Sequence, residues 1–178
     1  MGKQTLYEYN DSYEVVNTKE YKKGEIFNTF WGFEPRTGIT YLINDASSIK
    51  AGYSRTYQYL HLASNSAATT PLDVWFASSP NVKPQLSDQV SLGFFRQFLN
   101  SALDISVEGF YKNMNNAIDF KDYAELILNE HLEKELRFGK GYAYGVEFLN
   151  QFNYGPWSGW LSYTWSRSKR KINGVNNN

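Results

Sequence analysis

Glu108 and Glu147 are the two side chains in this sequence best spaced for acid–base chemistry. Each falls on the polar side of an alternating stretch, in neighbouring hairpins, so both carboxylates could reach one cavity. Paired carboxylates of that kind hydrolyse glycosidic bonds, one as acid and the other as base or nucleophile. Carboxylates lining a water-filled lumen need no catalytic role, however, and the reading is that the chain is not an enzyme. His61 and His131 are the only histidines, and there are 0 cysteines, so the ligands of a zinc site are missing and no metal or cofactor is expected. Gly139-Lys140-Gly141 lacks the spacing of a phosphate-binding loop and runs into an alternating strand instead of a helix. No nucleophile elbow occurs. Arg167, Lys169, Arg170 and Lys171 form a single basic cluster, read as a solvated strand terminus and not as a binding patch. With 18 basic and 18 acidic residues the chain has no global field that would favour nucleic acid.

What remains after catalysis is set aside is aromatic. The 178 residues include 14 Tyr, 12 Phe and 5 Trp, rings that collect at membrane interfaces, sugar-binding platforms and β-sheets alike. Trp75 and Phe76, beside Val74, sit in a stretch rich in Ser, Thr and Pro. They are expected either to pin that loop at a barrel mouth or to touch a ligand there. Trp157, Trp160 and Trp165 carry the alternative reading, a soluble aromatic-rich β-sandwich whose rings stack on carbohydrate.

The elements that must position these groups are strands. Val90, Leu92, Phe94 and Phe98 share one face, and Gln89, Ser91, Gly93 and Gln97 the other, with Phe95 and Arg96 out of pattern. The same alternation puts Ile49, Ala51, Tyr53, Tyr57 and Tyr59 against Lys50, Gly52, Ser54, Thr56 and Gln58. Only Arg55 interrupts that apolar face, where its stem could snorkel. It also sets Leu103, Ile105, Val107 and Tyr111 against Asp104, Ser106, Glu108 and Lys112. Tyr142, Tyr144, Val146 and Phe148 oppose Ala143, Gly145, Glu147 and Gln151, and Trp157, Leu161, Tyr163 and Trp165 oppose Ser158, Ser162, Thr164, Ser166 and Ser168. About six strands in three hairpins follow, at 34–43, 48–62, 89–98, 103–117, 141–152 and from 157, with short turns at 44–47, 99–102 and 153–156.

Strands of about 10 to 15 residues exceed the usual globular length of about 5 to 6 and suffice to cross a tilted membrane sheet. Short turns on one side, and long loops at 63–87 and 118–140 on the other, match the asymmetry of outer-membrane barrels. The fold class expected is therefore all-β: an antiparallel up-and-down transmembrane β-barrel segment, part of a larger barrel. Its wall should run over 34–173, with 1–33 a loop or partial strand of the preceding barrel region. The loop at 63–87 should lack regular structure at least in part, and 123–130 has the apolar spacing of a short helix. The first residues lack a secretory signal, and 174–178 lack a terminal strand, so both ends are expected to be cuts.

Several segments together resemble the barrel region of TonB-dependent outer-membrane receptors of Bacteroidetes. They are Tyr53-Ser54-Arg55-Thr56-Tyr57-Gln58-Tyr59-Leu60, Pro71-Leu72-Asp73-Val74-Trp75, Lys83-Pro84-Gln85, Ser106-Val107-Glu108-Gly109-Phe110-Tyr111-Lys112, Phe138-Gly139-Lys140-Gly141-Tyr142-Ala143-Tyr144-Gly145-Val146-Glu147 and Gly159-Trp160-Leu161-Ser162-Tyr163-Thr164-Trp165-Ser166. The resemblance extends over about 31–173. It implies a slice of a barrel of about twenty-two strands around a plug, embedded in outer-membrane lipid. Such receptors take up chelated metals, cofactors or glycans with energy from a TonB-type partner. The plug and the TonB-contacting segment would lie outside these strands, and the quoted segments are structural signatures that carry over no ligand residue.

Overall fold

A computed structural model describes residues 4–10, 12–22, 24–64, 73–121, 124, 129 and 131–174. Its strands are β1 (Gln4–Tyr9), β2 (Val15–Tyr21), β3 (Arg36–Asn44), β4 (Ser47–Gln58), β5 (Leu60–Ser64), β6 (Asp73–Ala77), β7 (Gln85–Phe98), β8 (Leu103–Phe120), β9 (Leu136–Tyr154) and β10 (Trp157–Ile172). One 3-10 turn spans Leu132–Glu135. Six strands form an open antiparallel sheet in the order β10-β9-β8-β7-β4-β3, and β1-β2 and β5-β6 are separate two-stranded ribbons.

Tight turns join the strands of each pair at one end of this sheet. Asn44 Oδ1 accepts from the Ala46 amide at 3.0 Å, a side-chain-stabilised turn that starts the return into β4. Between β7 and β8 the chain reverses through Leu99, Asn100 and Ser101, all with positive φ (53°, 52° and 67°), and Gly155 takes φ 59° between β9 and β10. The strands themselves are long: β8 has 18 residues and β9 19, beyond the sequence-expected limits at 103–117 and 141–152.

Register aligns the apolar positions into rows across the sheet. Ile39, Ala51, Leu92, Gly109, Val146 and Trp165 are successive partners, and so are Tyr41, Ile49, Phe94, Val107, Phe148 and Tyr163. The opposite face carries rows such as Lys50, Gly93, Glu108, Glu147 and Thr164. Because a strand alternates with period two, this register puts most of the bulky apolar groups on one face. That face is the more exposed: along β7, Val90, Leu92 and Phe94 are open while Ser91, Gly93 and Phe95 are partly or wholly shielded. No second sheet covers it among the described residues, as the sandwich alternative would require.

The buried core lies elsewhere. Val82, Phe120 and Leu136 form a small cluster with Phe76, Ile118, Leu132 and Phe138 packed on it, at the end of the sheet with the long connections. A bulge at Asn116, with φ 54°, makes this possible. Below it the odd residues of β8 share the apolar face; beyond it the extra residue shifts the phase, so Ile118 and Phe120 stay on that face beside Phe138 and Leu136. Asn116 Nδ2 also donates to the Pro84 carbonyl at 3.0 Å, tying the bulge to the segment that covers it.

Two sequence expectations change, and a third falls outside the described residues. The loop at 63–87 holds part of the β5-β6 ribbon, because the strand expected over 48–62 breaks at Tyr59 and restarts. The helix expected over 123–130 lies outside the described residues except for Ala124 and Asn129. Arg55 does not snorkel: it is directly opposite Asp88, with Nε to Oδ1 at 2.7 Å and Nη2 to Oδ2 at 3.2 Å, and Tyr53 donates to the same carboxylate at 2.7 Å. The first 33 residues contribute the β1-β2 ribbon.

Candidate functional site

Segments far apart in sequence converge at the long-connection end. Glu133, on the 3-10 turn, accepts from Ser79 Oγ through Oε1 at 2.5 Å and from Asn81 Nδ2 through Oε2 at 2.5 Å. Asn81 Nδ2 also donates to the Tyr7 carbonyl at 2.7 Å, which ties the β1-β2 ribbon to the same knot. Ser79 Oγ accepts from the Val82 amide at 3.2 Å and so holds the turn that delivers Val82 into the apolar cluster. Charged acceptors make such bonds stronger than neutral ones. Tyr7 packs edge-on to His131 at 4.3 Å between centroids, and the Arg137 guanidinium lies 3.9 Å over the Tyr13 ring. Lys121 pairs with Glu135 at 2.9 Å and closes the connection between β8 and β9.

The electrostatics follow from that packing. Burial, aided by the charge of Glu133, pushes the Tyr9 phenol up to about 12, and its hydroxyl is buried without a hydrogen-bond partner. His61 is buried, stacks on Phe76 at 5.4 Å and lies 3.1 Å from Ser78 Oγ, and burial lowers its pKa below the ordinary histidine value. The two histidines thus serve packing, and the described residues contain no group of three or more His, Asp or Glu able to hold a metal.

Trp75 and Phe76 part company here. Phe76 turns inward onto the Val82 cluster, whereas Trp75, directly opposite Leu62 on the other face of the β5-β6 ribbon, is 62% exposed. Glu108 and Glu147 do become neighbours, as direct partners on β8 and β9. Both lie on the polar face of the wall, Glu147 in the open and Glu108 partly shielded. The three tryptophans of the sugar-stacking alternative are divided, since Trp157 and Trp165 fall on one face of β10 and Trp160 on the other. Arg167, Lys169, Arg170 and Lys171 are exposed and lie in the last part of β10, at the strand terminus expected for them.

The polar face has its own hollow near the tight turns, of about 380 Å³, lined in part by Lys50, Phe95, Asp104 and Gln151. Lys50 Nζ sits 4.3 Å above the Phe95 ring, and Asp104 Oδ1 is buried without a hydrogen-bond partner. The knot at the other end was invisible in the sequence. Ser79, Asn81, Glu133 and Tyr7 are ordinary polar residues joined by contacts across 52 to 74 positions, and no local pattern marks them.

Long strands with a bare apolar face, a polar reverse face, tight turns at one end and an elaborated loop cluster at the other define the wall of an outer-membrane-type β-barrel. The chain matches the family described as TonB dependent receptor-like, beta-barrel, over residues 7–178, and belongs to it. Members of this family are outer-membrane receptors that transport and, in general, work with a plug domain and a TonB partner. No curated protein matches the sequence.

Proposed function

We propose that this chain supplies barrel wall and extracellular loops to a TonB-dependent receptor of Bacteroidetes type that takes up a scarce nutrient: a chelated metal, a cofactor or a glycan. The observation that carries the reading is the division of one sheet face, bare along the tight-turn side of Asn116 and covered by the protein's own loops beyond it. A bare apolar belt suits hydrocarbon, and a covered one suits water. In this reading the segment 34–173 is wall, the β1-β2 ribbon belongs to the loop that precedes β3, and the connections 63–87 and 118–140 face the medium. Trp75 is the ring that meets the ligand, and Phe76 holds the ribbon that presents it. The hollow at Lys50 and Asp104 faces the plug.

The test uses the complete receptor, into which single cysteines are introduced at Trp75 and Leu92; the present sequence contributes 0 of its own. On intact cells, a membrane-impermeant maleimide should label Trp75→Cys and leave Leu92→Cys untouched. Equal labelling of both positions would sink the membrane reading. For capture, Trp75→Ala should lower uptake of one member of a panel of radiolabelled ferric chelate, corrinoid and oligosaccharide, with the receptor level unchanged. Unaltered uptake of every compound the wild type imports would remove Trp75 from the site.

A further inference from the structure

The end of β10 brings a reactive side chain against a free backbone amide. Asn173-Gly174 is the single Asn-Gly step of the sequence. Before a glycine, an asparagine side chain is most open to attack by the next amide nitrogen, because no Cβ stands in the way of a close approach. Both residues are exposed, in a turn directly beyond the last residue of β10, and Gly174 takes φ 77°. The Asn173 amide donates to the Phe138 carbonyl at 3.3 Å, which holds the turn to β9, whereas the Gly174 amide has no hydrogen-bond partner among the described residues.

Cations stand at this step. Lys171 is directly opposite Lys140, and neither forms an ion pair with a described residue. Like charges directly opposite each other on a strand pair are destabilising. Both lysines share with Asn173 and Asn116 the lining of a hollow of about 310 Å³. Arg137 approaches from β9, its Nε 3.7 Å from the position that a Cβ on Gly174 would take. A backbone amide that loses its proton becomes an anion, and nearby cations favour that form as they favour any ionised acid.

We propose that Asn173 is a self-modification site, at which the folded chain converts its own asparagine into the anion that Lys140 and Lys171 lack. Hydroxide takes the proton of the Gly174 amide, and that nitrogen bonds to Asn173 Cγ. The bond from Cγ to Nδ2 then breaks, and Nδ2 leaves as ammonia with a proton from water, which restores the hydroxide. A five-membered succinimide remains. Water adds to one of its two carbonyls and reopens the ring, so that one water is consumed and one ammonia released overall. Opening at one carbonyl gives aspartate, and opening at the other gives isoaspartate, with the backbone rerouted through the side chain. Either product places a carboxylate at the hollow and offsets one of the two lysine charges.

The experiment incubates the complete receptor in neutral detergent at mildly alkaline and mildly acidic pH, and reads its chymotryptic peptides by fragment-ion mass spectrometry. Asn173 should gain the mass of OH in place of NH2 ahead of every other asparagine of the chain, faster at the alkaline pH and with isoaspartate among the products. Asn173→Gln should abolish the early conversion. The double variant Lys140→Gln, Lys171→Gln should convert about threefold more slowly, the scale of an exposed charge interaction. Roughly 1 M salt should slow the wild type to a similar degree by screening the same cations, and this gives the readout if the double variant does not assemble. The receptor unfolded in urea supplies the reference rate. A folded receptor whose Asn173 stays intact over the time in which the unfolded chain converts would overturn the proposal. So would an unchanged rate in the double variant or, where that variant does not assemble, in high salt.

Discussion

Leu92 and Leu136 occupy the same face of the same sheet, yet Leu92 is 61% exposed and Leu136 0%. Leu92 lies in the belt between the tight turns and Asn116, where nothing in the described chain covers the apolar rows. Leu136 lies beyond the bulge, where Val82 and Phe76 are brought across by the Ser79–Glu133–Asn81 knot. A chain that closes its apolar surface in one region and leaves it open in the next has two solvents to satisfy. The change falls where the register shifts at Asn116, and Lys140 and Lys171, directly opposite one another, stand at the same level, Lys140 being also the partner of Asn115. In the reading proposed above, that level is the outer boundary of the hydrocarbon.

The comparison can be broken most sharply inside the covered region. In the complete receptor, Leu136→Ala leaves a cavity in a fully buried cluster and should cost about 2–5 kcal/mol of loop stability. Hydrogen exchange should report it as faster exchange of the β5-β6 ribbon, with the β7 to β10 ladder below Asn116 unchanged; a uniform change over the whole sheet would deny the two regions separate stability. In the bare region the damaging change is of a different kind. Leu92→Arg puts a charge against hydrocarbon and should cost about 2–4 kcal/mol near the midplane, read as lost folded receptor in a membrane assembly assay. The same substitution tolerated without loss would mean that water covers the belt.

Glu133→Ala addresses the knot. It strands the donors of Ser79 and Asn81 and should cost about 1–3 kcal/mol, seen as protease sensitivity at the loop cluster while the wall stays resistant. The smallest effect expected is a pH dependence. Burial lowers the His61 pKa, so the opened loop binds a proton more readily than the closed one. Stability of the ribbon is therefore full above the ordinary histidine value of 6.5 and falls as the pH drops below it toward the lowered, folded value. Proteolysis of the loop at pH 7.5 and pH 5 should reveal the loss in wild type, and His61→Gln should remove the difference. Nothing comparable is expected in the belt.

Much of the wall was legible because its physics is local. Alternation at Val90, Leu92 and Phe94 or at Tyr142, Tyr144 and Val146 follows from the period of a strand, and the turns at 44–47, 99–102 and 153–156 are set by residues next to one another. Arg55 was misjudged because its partner Asp88 lies 33 positions away, and only pairing of β4 with β7 brings them together. Trp75 and Phe76 were visible as a pair, but their opposite roles depend on the β5-β6 ribbon, which the proline-rich composition of 63–87 did not betray.

The sequence by itself determined the strands, their two faces and the side of the sheet on which the long connections lie, since a period of two and a turn's backbone geometry are properties of neighbouring residues. Only the tertiary structure decided where the apolar face stops being bare, which of Trp75 and Phe76 is presented, and that Lys140 joins the cations of β10. Those outcomes depend on register and on a one-residue bulge, and a shift of one residue in either would have turned every one of these side chains to the other face.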